Sequence, residues 1–187
     1  MRTFIAVTPP AQVAAQLDAL VRDLARFDAD VRWSAGASIH VTLKFLGEVS
    51  SELLPELVAA LRQRVRLSAP FDLELQDLGG FPSLRSPRVL WCGLAGHQRL
   101  SELQSEVEGI CTGFGYEPEQ RPFRPHLTLG RVRGKRNLQP LVEHLASAPP
   151  SLHGKFTVDH VDVYRSTLRR TGAVYDVLEA IALEGER

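Results

Sequence analysis

Apolar and polar positions fall along this chain in two alternating periods. Residues 3–8 form a short, mostly apolar run that reads as a strand. After Pro9-Pro10, residues Val13, Leu17, Leu20, Val21 and Leu24 share one face of a helix. His40 to Phe45 then alternates as a half-buried strand does, and Gly47 ends it. Leu54, Leu57, Val58, Leu61 and Val65 return to helical spacing, where Pro55 fits only in the first turn. Phe71, Leu73 and Leu75 mark a further strand, with Gly79-Gly80 as its predicted end.

The same order begins again after the loop Phe81 to Pro87. Val89 to Cys92 reads as a strand, and Leu100, Leu103, Val107 and Ile110 as a helix face. His126 to Leu129 is a strand, Leu138 to Leu145 a short helix, Phe156 to Tyr164 a strand. An extended or hairpin segment runs from Val174-Tyr175 to Ala182-Leu183. Thirty-seven residues separate Thr3 from His40, and thirty-seven separate Val89 from His126. With His-[Val/Leu]-Thr-Leu at one register in both halves, duplication of a strand–helix–strand–helix–strand unit is the economical reading. The expected fold is α+β. One bilobal domain over 1–187, with halves of roughly 1–80 and 88–187, would form two pseudo-twofold-related lobes of antiparallel or mixed sheet. Helices would cover their outer faces, and a cleft would lie between them.

Strand parity turns the repeated tetrapeptide into a candidate site. Positions i and i+2 share a face, so His40, Thr42 and Lys44 are expected on one side, with Val41, Leu43 and Phe45 toward the core. His126 and Thr128 likewise share a face. Two opposed imidazoles suit displacement at phosphorus: one takes a proton from the attacking water, the other gives one to the leaving oxygen. Thr42 and Thr128 can donate hydrogen bonds to the oxygens where charge accumulates. This scheme needs no metal and no cofactor.

Charge sharpens the picture. Lys plus Arg and Asp plus Glu balance at 22 each, so any attraction for a polyanion is local. From Arg121 to Arg136 the chain holds five arginines and Lys135 without a carboxylate, bracketing His126. Arg124 and Arg131 are therefore candidate phosphate contacts. Strict parity puts Arg131 on the face opposite His126, so it reaches a phosphate only if the strand bends or ends at Gly130. Arg165, Arg169 and Arg170 could extend the patch. Among aromatics, Trp33, Phe45, Phe123 and Tyr175 are candidate base-stacking surfaces, although parity assigns Phe45 to the core and leaves Phe123 even between packing and substrate contact. His97, His144, His153 and His160 lack a repeated context and read as packing or surface residues. Cys92 and Cys111 read as buried small hydrophobes. No segment approaches the ~20 apolar residues of a membrane span, so a monomeric cytoplasmic enzyme is the default expectation.

These motifs resemble the 2H phosphoesterase superfamily, specifically the bacterial and archaeal RNA 2',3'-cyclic phosphodiesterases also called RNA 2'-5' ligases. The resemblance runs from Met1-Arg2-Thr3-Phe4-Ile5-Ala6-Val7 through His40-Val41-Thr42-Leu43-Lys44-Phe45-Leu46-Gly47 and Pro87-Arg88-Val89-Leu90-Trp91. It continues through Arg121-Pro122-Phe123-Arg124-Pro125-His126-Leu127-Thr128-Leu129 to the segment Ser166 to Tyr175. Gly130 stands where many relatives carry alanine. The resemblance implies hydrolysis of a terminal 2',3'-cyclic phosphate to a 2'-phosphomonoester, with His40 as proton donor and His126 as proton acceptor. It also implies a weak, reversible joining of such an end to a 5'-hydroxyl as a 2'-5' linkage. The implied partner is RNA with a cyclic phosphate end, tRNA fragments among the candidates. Lys44, Arg124, Arg131, Phe123 and Tyr175 are the candidate phosphate and substrate contacts. Three alternatives stay open: the same site acting on a small nucleotide cyclic phosphate, a metal hydrolase, and an RNA-binding module without catalysis.

Overall fold

The computed structural model describes residues 1–147, 154–169 and 172–186. His153 and Arg170, named above, lie outside them. The strands are β1 (Arg2–Val7), β2 (Val31–Trp33), β3 (Val41–Glu48), β4 (Phe71–Phe81), β5 (Val89–Ala95), β6 (His126–Val132), β7 (Lys155–Val158), β8 (His160–Arg169) and β9 (Gly172–Ala182). The helices are α1 (Ala11–Ala25), α2 (Leu53–Val65), α3 (Gln98–Gly113) and α4 (Leu138–Ser147). The fold is α+β, with two antiparallel sheets and four helices among the described residues.

The helices form where helical spacing predicts. Val13, Leu17, Leu20, Val21 and Leu24 are the buried face of α1, and Leu57, Leu61 and Val65 that of α2. Pro55 is the third residue of α2, in the turn whose N–H groups have no intrahelical partner. On α3 the buried face is Leu100, Leu103, Val107 and Cys111, with Ile110 at its margin. Cys92 and Cys111 are fully buried and unpaired, and burial pushes both thiols up to about 12, far from a reactive thiolate.

Strand order in the first sheet is β3-β1-β8-β9, and in the second β2-β6-β5-β4-β7. Each sheet thus draws on both halves of the sequence: β4 sits in the second sheet, β8 and β9 in the first. One continuous apolar cluster joins them, from Ile5 and Val41 through Leu73 and Leu127 to Ile181.

Three elements depart from the pattern reading. The short β2 has no alternation to reveal it and is held by pairing with β6, Trp33 opposite Gly130. The single strand expected over Phe156 to Tyr164 is two strands in different sheets, divided at Asp159. The strand expected to stop at Gly79-Gly80 runs on to Phe81. A Cβ at Gly79 would lie 2.3 Å from the Trp91 ring, so the glycine here makes room for an indole on the neighbouring strand rather than ending a strand.

Candidate active site

A cleft of about 110 Å³ is lined by Ser34, Ser38, Ile39, His40, Thr42, Phe45, His126, Thr128, Arg131 and Tyr175. At about 30 Å³ per water, it has room for a phosphate-sized group. Both His-x-Thr motifs open into it, one from the leading end of β3 and one from β6.

The two strands carry the same irregularity at the same motif position. On β3, Thr42 pairs with Ala6 and Lys44 with Ile5, leaving Leu43 unpaired. On β6, Thr128 pairs with Trp91 and Gly130 with Leu90, leaving Leu129 unpaired. Each extra residue is a bulge that shifts the alternation by one. The freed carbonyls find other donors: Leu129 accepts from the Ser34 N–H at 2.8 Å, Leu43 from Gln104 Nε2 at 3.4 Å.

The bulges correct two parity assignments and explain a third. Lys44, expected beside His40, is turned into the protein and is only 6% exposed. Its ammonium pairs with Glu108 of α3 and donates to the Glu117 carbonyl at 2.6 Å. Phe45, assigned to the core by parity, is 68% exposed and lines the cleft. Arg131 meets the condition set for it, because the strand changes phase at Leu129 and brings it to the His126 face. It has no ion-pair partner among the described residues.

Three other candidates are elsewhere. Phe123 packs against the apolar cluster, and Trp33 does so over Gly130, where a Cβ would lie 2.8 Å from its ring. Arg124 is exposed and its side chain is not among the cleft lining. Its backbone matters instead: Nδ1 of His126 donates to the Arg124 carbonyl at 2.6 Å. Nδ1 of His40 makes the matching bond to the Ser38 carbonyl at 2.9 Å. A carbonyl can only accept, so each neutral imidazole carries its proton on Nδ1 and leaves an Nε2 lone pair for chemistry.

Aromatic rings hold each imidazole, and of these pattern reading singled out Tyr175 alone. His40 stacks on Phe4 at 4.7 Å and meets the edge of Tyr175 at 5.3 Å. Phe81 stands edge-on to His126 at 4.9 Å, with Trp91 at 6.5 Å. Behind Phe4, Tyr164 stacks at 5.0 Å. Tyr164 and Thr8 both donate to buried Asp162, at 3.2 and 2.7 Å. A buried carboxylate two positions from an otherwise ordinary strand tyrosine has no sequence signature until the sheet register is known.

Burial dominates the titration of both histidines. It lowers His40 from 6.5 to about 4; the Ser38 carbonyl and the Asp162 carboxylate oppose this, and the His126 charge adds to it. His126 is also lowered, first by burial and then by Arg131, against the Arg124 carbonyl. A histidine lowered in the folded state resists protonation that the unfolded chain accepts. Its contribution is therefore intact above pH 6.5 and lost as pH falls toward 4. For His40 this amounts to roughly 3 kcal/mol. Urea denaturation at pH 7 and pH 4.5 should show a smaller acid loss for His40→Ala than for the wild type. Equal losses would rule out this source of acid sensitivity. His160 runs the other way, raised to about 9 by Asp162 first and, against burial, by Asp159.

Comparison with known proteins adds the chemistry such a cleft serves. Residues 9–170 match the 2'-5' RNA ligase superfamily. The RNA 2',3'-cyclic phosphodiesterase of Thermotoga maritima is 33% identical over 186 residues, covering 99% of this chain and 97% of that protein. The chain belongs to the RNA 2',3'-cyclic phosphodiesterase family. Members of this family are phosphodiester hydrolases within the 2H phosphoesterase superfamily. Its fold matches a solved Thermus thermophilus protein with a TM-score of 0.82 at 28% identity over the whole of both chains. Escherichia coli LigT, solved with 3'-AMP, gives a TM-score of 0.76 at 30% identity over 97% of both chains.

Proposed function

We propose that this phosphodiesterase hydrolyses the 2',3'-cyclic phosphate at the end of an RNA strand to a 2'-phosphomonoester, using His40 as acid and His126 as base. What carries the reading is the matched locking of both imidazoles, each with Nδ1 held by the carbonyl two residues earlier and Nε2 free in one cleft. His126 accepts a proton from water as its oxygen attacks phosphorus. The bond from phosphorus to the 3' oxygen breaks, and His40 protonates that oxygen. Thr42, Thr128 and Arg131 stabilise the non-bridging oxygens.

Local charge supports this division of roles. Asp162 favours the protonated form of His40, while Arg131 favours the neutral form of His126. Burial works against a charged His40, and the bound anion offsets it. One negative charge ~4 Å away contributes about 4 kcal/mol at an effective dielectric constant of 20, or about three pKa units. The bound anion therefore favours the protonated, acid form of His40 only when substrate is present. The same site joins a cyclic phosphate end to a 5'-hydroxyl when that hydroxyl takes the place of water, giving a 2'-5' linkage.

End-group analysis of a cyclic-phosphate oligonucleotide, digested in the presence of EDTA, tests substrate, regiochemistry and metal dependence together. The expected product is the 2'-phosphomonoester in undiminished yield. A 3'-phosphate product would overturn the assignment of His40 to the 3' oxygen. Activity lost to EDTA and regained with a divalent metal would overturn the two-histidine scheme.

A further inference from the structure

The first sheet presents an apolar and aromatic surface beyond the cleft. Register pairs Phe45 with Phe4, Phe4 with Tyr164, and Tyr164 with Val177, so these four residues form one row across β3, β1, β8 and β9. Four strands at a spacing of ~4.8 Å make this row about 14 Å long. Tyr175 and Leu168 continue the same face toward the Arg169–Gly172 pair by strand parity. Phe45, Leu168 and Val177 are 68%, 69% and 54% exposed. Phe4 and Tyr164 between them are buried, packed against the rings of Phe45 and Tyr175, so the exposed apolar residues flank an aromatic floor.

Two features say what the patch fits. It is continuous with the histidine cleft, because Phe45 and Tyr175 belong to both. Its free charges are positive: Arg2, on the Phe4 face of β1, and Arg131 across the cleft have no ion-pair partner among the described residues. The carboxylates on this face are already engaged, Asp162 by Thr8 and Tyr164, and Glu48 by the N-terminal ammonium. Aromatic rings for stacking beside cations for the backbone are the components of a single-strand platform.

Resting on the RNA substrate read above, we propose that this face of the first sheet binds the unpaired nucleotides on the 5' side of the cyclic phosphate. Bases stack on Phe45 and Tyr175 and lie along Val177 and Leu168. The enzyme thereby prefers a strand end over a mononucleotide.

The test compares a short single-stranded RNA ending in a 2',3'-cyclic phosphate with 2',3'-cyclic AMP, for the wild type and a Val177→Asp/Leu168→Asp double variant. Both positions are exposed, so the fold is retained. The double variant should lose at least tenfold in kcat/KM on the oligonucleotide, mainly through KM, with cyclic AMP turnover unchanged. An unchanged oligonucleotide KM, or equal losses on both substrates, would overturn the surface. So would conversion of a dimer to a monomer by the double variant with RNA binding intact, because the occupant would then be a second copy. Should the wild type turn over neither substrate, the catalytic reading fails by itself. Binding of a 3'-phosphorylated oligonucleotide then decides the surface: weakened binding in the double variant upholds it, and equal binding sinks it.

Discussion

His40→Ala and His126→Ala are each expected to lower kcat on a cyclic-phosphate RNA by ~10²–10⁴-fold while the protein stays folded. Each replacement removes one proton transfer and leaves the threonines, Arg131 and the other imidazole in place. The double variant should be little worse than either single one, because acid and base act on a single transition state. The pH profile carries more information than the loss itself. Activity should fall at low pH as His126 gains a proton, and at high pH as His40 loses one. Burial holds His40 near 4 in the free enzyme, whereas a bound phosphate raises it. The alkaline limb should therefore lie at higher pH in kcat than in kcat/KM. Coincident alkaline limbs would remove the bound anion from its role in protonating His40, and a flat profile would remove the histidine pair altogether.

Much of this site was legible before any coordinates. The two histidines and two threonines share a cleft because alternation over three residues is set by local backbone geometry. Nothing intervenes between His40 and Thr42 or between His126 and Thr128 to change it. Prediction failed one residue later, and in both halves for the same reason. A bulge is a property of two paired strands, decided by where Leu43 and Leu129 stand against β1 and β5. The residues on β3 and β6 alone do not announce it. Parity carried past the bulge puts Lys44 in the cleft and Phe45 in the core, the reverse of what forms. The aromatic supports Phe4, Phe81 and Trp91 escaped notice because they read as ordinary strand hydrophobes. Their contact with an imidazole depends on which strands become neighbours. The exchange of β4 and β8 between the sheets is also a matter of long-range pairing, and a repeat at a fixed register does not reveal it.

Lys44→Met is expected to destabilise the protein by about 3–5 kcal/mol, the cost of leaving one partner of a buried ion pair without the other. In a chain of this length that corresponds to a fall in Tm of about 10 °C. Glu108 would lose its countercharge, and the Glu117 carbonyl its donor. The effect should reach the active site as well. Glu108 also accepts from the Glu119 N–H at 2.9 Å, so the Lys44–Glu108 pair ties α3 and β3 to the segment that leads into Arg124 and His126. The carbonyl holding His126 Nδ1 lies five residues beyond that tie. A lysine that touched phosphate would behave differently, raising KM on replacement and leaving thermal stability unmoved. The double variant Lys44→Met/Glu108→Leu separates the two cases, since removing both charges relieves the unpaired carboxylate and should recover most of the lost Tm. A stable Lys44→Met protein with weakened substrate binding would return Lys44 to the cleft and put the rephasing at Leu43 in question.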